Sequence, residues 1–145
     1  MSVKTKAGLL VRAGATAAVA IGLAVGLQSS AMAAPAVSVT PASGLTDGAT
    51  VTLTATGLTP GTVYHVGQCS YVETDVAACN PATSVDVAAD ASGKVTAQVK
   101  VFAKFDAVTG AEAKPWGTVD CNSRTCAVGL GSDKGEGGAQ NISFS

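Results

Sequence analysis

Alternating apolar and polar residues run through most of the chain after residue 33. In residues 49–56, Val51, Leu53 and Ala55 alternate with four threonines, and a similar alternation covers 94–101. Alternation with a period of two, rich in β-branched side chains, is typical of strands buried on one face. Further strands are predicted at 37–40, 63–68, 84–88, 118–121, 127–130 and 140–144.

Turn-forming residues separate these segments. They lie at 41–44, Asp47-Gly48, Pro60-Gly61, 91–93 and along the glycine-rich run 129–138. No stretch of ten residues after position 33 has a helical pattern, so many short strands at this spacing predict an all-β fold. We expect one domain over 34–145, an antiparallel immunoglobulin-like sandwich of about seven strands whose sheets are held together by their aliphatic faces.

The first 33 residues have the layout of a secretory signal peptide. Lys4, Lys6 and Arg12 precede an uncharged run at 13–27, and the small-residue sequence Ala31-Met32-Ala33 follows. A membrane anchor is the alternative, but the run is short for a bilayer span and rich in Ala and Gly. We therefore expect cleavage after Ala33, secretion, and no attachment to the membrane afterwards.

The charge of residues 34–145 argues against direct binding of nucleic acid. All ten acidic residues lie in this segment but only six of the nine basic ones, which gives a net charge of −4. A polypeptide that binds nucleic acid through its own surface needs clustered Lys and Arg. Here the basic residues are scattered and outnumbered.

The four cysteines are those of a small secreted domain stabilised by disulfides. Cys69, Cys79, Cys121 and Cys126 allow three pairings, of which the short-range one closes two local loops. Cys69 and Cys79 are too close in sequence to join the two sheets as in true immunoglobulin domains. Zinc is disfavoured, because no C-x-x-C occurs and the single histidine, His65, lies in a strand-like segment.

The sequence contains no motif of a known catalytic class. There is no G-x-S-x-G or H-E-x-x-H, and Asp75, Asp86 and Asp90 are isolated acids at predicted strand ends. We therefore expect a protein that is not an enzyme. Small residues instead gather where the loops should meet, with Tyr71 beside them, which would suit a large flat apolar ligand. Two alternatives are that Tyr71 merely covers a disulfide and that 129–138 is an ordinary surface loop.

Ordered motifs along residues 34–145 resemble the enediyne antibiotic apoproteins, the neocarzinostatin, actinoxanthin and macromomycin family. The likeness is strongest to its macromomycin members over 57–69. The motifs include Ser43-Gly44-Leu45, Val66-Gly67-Gln68-Cys69, Ala78-Cys79-Asn80-Pro81, Trp116-Gly117-Thr118-Val119-Asp120-Cys121, Val128-Gly129-Leu130 and Ile142-Ser143-Phe144. This resemblance implies a seven-stranded sandwich with a small two-stranded lobe and the disulfides Cys69–Cys79 and Cys121–Cys126.

The resemblance also implies a function. Members of this family carry a noncovalent enediyne chromophore between sandwich and lobe, and the released chromophore binds and cleaves DNA, so they are antibacterial and cytotoxic. The protein is then expected to be a monomeric carrier without metal that meets DNA only through its ligand. The alternative from another class is a secreted structural or adhesion module of immunoglobulin type that carries no chromophore.

The family's binding positions transfer unevenly to this chain. The Cys69–Cys79 disulfide corresponds to the floor of the pocket, Tyr71 stands where neocarzinostatin has a Trp, and Gly129 and Leu130 match the opposite side. Two stacking Phe residues of neocarzinostatin are replaced, by Ser84 and Ala111. The predicted chromophore-binding residues are Cys69, Tyr71, Ala77, Cys79, Ser84, Ala111, Gly129 and Leu130.

Overall fold

The structure is a computed structural model that describes residues 34–145, so the predicted signal peptide lies outside the described residues. Ten strands form in this range, and no α-helix is found there. They are β1 (Ala36–Thr40), β2 (Ala49–Thr56), β3 (Val63–Glu73), β4 (Val76–Cys79), β5 (Val85–Ala88), β6 (Val95–Val101), β7 (Lys104–Thr109), β8 (Lys114–Asp120), β9 (Cys126–Gly131) and β10 (Gly137–Ile142). The described part of the chain therefore contains no helical segment that could span a bilayer.

Seven of these strands form the predicted antiparallel sandwich. One sheet has the order β1-β2-β6, and the facing sheet has β10-β9-β3 with β5 on the other edge of β3. Both sheets turn valine, leucine and other apolar side chains inward, which confirms the prediction from alternation. The largest fully buried side chains include Tyr64, Leu53, Val51, Val66, Val95, Val99, Val101, Val119 and Val128.

The predicted lobe begins at the C-terminal end of β3. This strand is 11 residues long, and it pairs with β5 through Val63–Val66 and then with β4 through Cys69–Glu73. β4 in turn pairs with β7, which forms a two-stranded hairpin with β8. The length of β3 therefore lets one strand serve both the sandwich and the lobe.

Two glutamines supply links that the sequence pattern did not predict. Gln68 is fully buried, donates a hydrogen bond to the carbonyl of Phe102 at 2.7 Å and accepts one from its amide at 3.0 Å. Gln140 accepts a hydrogen bond from the amide of Val39 at 2.7 Å. Each such bond contributes about 1 kcal/mol, so amide side chains join elements of the two sheets where neither disulfide does.

Several sequence-based boundaries were wrong. The predicted strand 140–144 runs from Gly137 to Ile142, while Phe144 makes only an isolated bridge to Leu45. The strand predicted at 118–121 begins earlier, at Lys114. The glycine-rich run is not one loop: Gly129–Gly131 end β9, Gly137 and Gly138 begin β10, and only 132–136 turn between them. Glycines hide the alternation because they have no side chain to reveal a face.

Candidate functional site

The outer face of the β3–β9–β10 sheet is a floor of small residues. Cross-strand pairing sets Gly67 beside Gly129 and Gly129 beside Ala139, and the next row sets Cys69, Ala127 and Asn141 side by side. Alternation places His65, Gly67, Cys69 and Tyr71 on this face, whereas Tyr64, Val66 and Gln68 enter the core. The floor is therefore nearly bare backbone, a flat surface suited to a flat ligand.

Close approach of neighbouring strands requires glycine at two floor positions. A Cβ atom built on Gly129 would lie 2.6 Å from both the Ala139 Cβ and the Gly138 carbonyl oxygen, and one on Gly137 would lie 2.2 Å from the Leu130 carbonyl oxygen. Gly67 differs, since a Cβ there meets only Ser84 atoms at an ordinary 3.7 Å. Packing thus explains the first two glycines, and the free space beside Gly67 belongs to the cleft.

The Cys69–Cys79 disulfide lies where the floor meets the lobe. The two residues are directly paired across β3 and β4, with a Cα–Cα distance of 4.0 Å and a sequence separation of 10. Cys121 and Cys126 form the second disulfide at the turn from β8 to β9. Both short-range pairings implied by the family resemblance are present.

Floor and lobe together enclose a cleft of about 1220 Å³. Pockets for small ligands measure roughly 300–1,000 Å³, so this cleft has room for a larger molecule. The lobe contributes small side chains to its wall, namely Ala77, Val108, Gly110, Ala111 and Ala113. Tyr71 is the one aromatic residue lining the cleft within the described chain, and 73% of its surface is exposed.

All eight residues predicted from the sequence line this one cleft. They are Cys69, Tyr71, Ala77, Cys79, Ser84, Ala111, Gly129 and Leu130. Leu130 is 6% exposed and belongs to the apolar core, so it presents mainly backbone to the cleft. Ser84 and Ala111 leave space where the resemblance has Phe rings. The pocket therefore exists, with less aromatic surface than the family pattern has.

The charged groups of the cleft were not predicted from the sequence pattern. Arg124 lines one part of it and lies over the Trp116 ring, 5.2 Å from the ring centroid. His65 and Asp133 line another part, at the level of the floor where His65 pairs with Gly131. Nothing in the sequence around His65 shows that the β9–β10 turn brings an acid to it.

His65 bridges two carboxylates. Its Nδ1 lies 2.7 Å from Asp86 Oδ1 on β5, and its Nε2 lies 3.1 Å from Asp133 Oδ1 in the β9–β10 turn. These hydrogen bonds, first to Asp86 and then to Asp133, raise the pKa of His65 above its ordinary 6.5, against a smaller opposing effect of desolvation. The imidazolium form is thereby favoured beside the cleft.

A second acid of the same turn is bound to the sandwich. Glu136 accepts hydrogen bonds from the Tyr64 hydroxyl and, at 2.9 Å, from Thr59 Oγ1. The bond from Tyr64 is the main reason that the pKa of Glu136 is lowered, while burial first and this bond second raise the pKa of Tyr64. Asp133 and Glu136 thus attach the turn to neighbouring residues of β3.

Two kinds of reactive group are not found among the described residues. All four cysteines are paired in disulfides, so no thiolate nucleophile is available. Among the described residues, no group of three or more His, Cys, Asp or Glu side chains could hold a metal ion. The site combines a flat floor, a disulfide edge, one aromatic side chain and two charged ends.

Comparison with known proteins agrees with these features. The sequence profile of the Neocarzinostatin family matches residues 37–144. Macromomycin from Streptomyces macromomyceticus is 61% identical over 135 residues, 93% of this chain and 94% of that protein. The antitumor antibiotic C-1027 apoprotein from Streptomyces globisporus is 42% identical over 120 residues, 83% of this chain and 82% of that protein.

Solved structures give the same result. The macromomycin structure superposes with a TM-score of 0.76 at 62% identity, covering 77% of this chain and all of that one. The solution structure of apokedarcidin gives a TM-score of 0.62 at 36% identity, covering 78% of this chain and all of that one. The resemblance predicted from the motifs is confirmed, and the chain belongs to the neocarzinostatin family.

Proposed function

We propose that this protein is a secreted antibiotic apoprotein that binds, stabilises and carries an enediyne-type chromophore without a covalent bond. The observation that carries the proposal is the cleft of about 1220 Å³ with a bare backbone floor, in a chain of the neocarzinostatin family. A flat floor maximises contact with a polycyclic ligand, and apolar contact of this kind needs no covalent attachment.

The composition of the cleft suits a reactive ligand. Thiolates are the strongest nucleophiles among protein side chains, and pairing every cysteine removes them from the carrier. The floor of the cleft is mostly backbone and small side chains, which exclude water from the ligand's covered face and offer it no thiol. A chromophore that reacts after release would be preserved in such a cleft.

We infer that DNA is the target of the ligand and not of the polypeptide. Residues 34–145 have a net charge of −4, which opposes contact with phosphates. The released chromophore would bind and cut DNA, which makes the complex antibacterial and cytotoxic. The polypeptide itself acts as a monomeric carrier and catalyses no reaction, in keeping with the name of its relative, the C-1027 apoprotein.

Secretion is part of the same proposal. The signal-type pattern of residues 1–33 supports export and cleavage after Ala33. The match to macromomycin extends over 135 residues, more than residues 34–145 contain, so it takes in part of this leader. Two disulfides also suit an oxidising compartment.

Isolation of the secreted protein from the organism that makes it tests the proposal. Native mass spectrometry should find a mass above that of residues 34–145, and denaturation should release the excess as a small molecule that cuts plasmid DNA. Protein that carries no extractable ligand and cuts no DNA would contradict the carrier function. It would favour the structural or adhesion module instead.

Tyr71→Ala is expected to speed loss of the ligand about tenfold while leaving the unfolding midpoint unchanged. Tyr71 is 73% exposed, so its ring packs little against the protein and is free to contact a ligand. Dissociation can be followed by the visible absorbance of the bound chromophore. Tyr71→Phe serves as the matched control, since it keeps the ring. An unchanged dissociation rate in Tyr71→Ala would remove Tyr71 from the site.

A further inference from the structure

The turn between β9 and β10, residues 132–136, forms one end of the cleft and has few attachments. Asp133 and Gly135 line the cleft. Within the turn, the Ser132 amide donates to the Glu136 carbonyl at 2.8 Å and the Gly135 amide donates to the Ser132 carbonyl at 3.0 Å. Outside the turn, its side chains reach Thr59 and Tyr64 through Glu136, and His65 through Asp133.

The bridge at His65 depends on a proton for a simple reason. A neutral imidazole has one N–H group and can donate to one carboxylate, which leaves the other facing a lone pair. Asp86 and Asp133 lie at opposite ring nitrogens, at 2.7 and 3.1 Å. Only the imidazolium ion, with two N–H groups, satisfies both acids at once.

We propose that His65 is a positioning residue of the cleft: its protonated ring, held between Asp86 and Asp133, fixes the turn 132–136 as an end wall and slows escape of the ligand. The effect on a ligand rests on the proposed function, whereas the effect on the turn does not. The side chains of His65 and Asp133 are 50% and 95% exposed, so the pair contributes little to global stability, yet a short turn opens locally at low cost.

The raised pKa of His65 determines how the bridge responds to pH. The bridge is complete below the ordinary value of 6.5 and is lost as the pH rises through the higher value of the folded protein. The charged groups that contact His65 are Asp86 on β5 and Asp133 in the turn, and the same turn also carries Lys134 and Glu136. The carboxylate of Glu136 is bonded to Tyr64 and Thr59 and keeps that link at alkaline pH.

The single histidine makes the first test direct. The Cε1 proton of His65 in the ligand-free protein gives one titrating NMR signal, and its midpoint should lie above 6.5. Asp133→Asn should lower the midpoint toward 6.5, whereas Lys134→Gln, a charge change in the same turn, should raise it or leave it in place. A midpoint unaffected by Asp133→Asn would overturn the bridge.

The second test measures the turn itself. Hydrogen-exchange protection of the Ser132 and Gly135 amides, corrected for intrinsic rates, should fall about threefold to fivefold between pH 5.5 and 8.5. His65→Gln, which keeps a hydrogen-bonding side chain but carries no charge, should show low protection at both pH values. Protection that does not change with pH, or that changes equally in His65→Gln, would overturn the proposal.

The consequence for the ligand is measured on the complex isolated from the producing organism. Loss of its chromophore, followed by absorbance, should be about threefold faster at pH 8.5 than at 5.5, and this difference should vanish in His65→Gln. If no chromophore is isolated, the proposed carrier function is contradicted. The hydrogen-exchange protection of the turn still tests whether the His65 bridge holds it in place. If hydrogen exchange in the turn changes with pH but the rate of chromophore loss does not, the turn does not act as an end wall of the cleft.

Discussion

Cys69→Ala combined with Cys79→Ala is expected to lower the free energy of unfolding by about 3 kcal/mol and to abolish retention of the ligand. The first effect comes from loop-closure entropy for residues ten apart in sequence. The second comes from position, because the disulfide joins the floor strand β3 to the lobe strand β4 at the edge of the cleft. Chemical denaturation and native mass spectrometry measure the two effects separately.

The second disulfide is the matched control for this prediction. Cys121→Ala with Cys126→Ala opens a loop whose ends are five positions apart in sequence. By the same loop-closure entropy, it should lower the free energy of unfolding by about 2 kcal/mol. Neither cysteine lines the cleft, and the loop between them contributes only Arg124 and Thr125 to its wall, so ligand retention should fall much less than in the first double variant at temperatures where the protein is folded. Equal loss of ligand in both double variants would mean that the Cys69–Cys79 bridge acts through stability alone.

Gly129→Ala is expected to destabilise the fold by about 2–3 kcal/mol although it adds one methyl group. The new Cβ would lie 2.6 Å from atoms of Ala139 and Gly138, so β10 would have to move away from β9. That movement also strains the contact of Gln140 with the amide of Val39. The midpoint of thermal unfolding is the measurement, and it should fall by several degrees.

Gly67→Ala tests the same floor without the clash. Its Cβ meets Ser84 at 3.7 Å, an ordinary contact, so stability should change by less than about 1 kcal/mol. The methyl group would stand on the floor of the cleft and should weaken ligand binding. If both glycine variants unfold at the same temperature, close packing of β9 on β10 is not what requires Gly129.

Alternation predicted most of the sandwich because its strands each have one buried face. The lobe strands β4 and β7 were missed. β4 has four residues, Val-Ala-Ala-Cys, and shows no alternation, and the alternation of β7 extends only over Lys104–Ala107, where Phe105 and Ala107 are buried. Each forms a hairpin with its neighbour in sequence, β4 with β3 and β7 with β8, but segments this short carry little strand information of their own.

In the candidate site, too, some residues could be predicted from the sequence and others could not. The small residues and the disulfide edge of the site could be predicted, because glycines, cysteines and family motifs are recognised directly in the sequence, without knowledge of the tertiary contacts. The bridge from Asp86 through His65 to Asp133 could not, since its members are 21 and 68 positions apart from the histidine and meet only through the β5–β3–β9 pairing. Gln68 was missed for the same reason, as its partner Phe102 is 34 positions away.

The position of Trp116 gives the protein a built-in optical reporter. It is the only tryptophan in the chain, and its ring contacts the guanidinium of Arg124, which lines the cleft. Fluorescence from this single ring arises at one known place, so a ligand that displaces Arg124 or absorbs near the emission band would change its intensity. Occupancy of the cleft can then be followed in solution without a label.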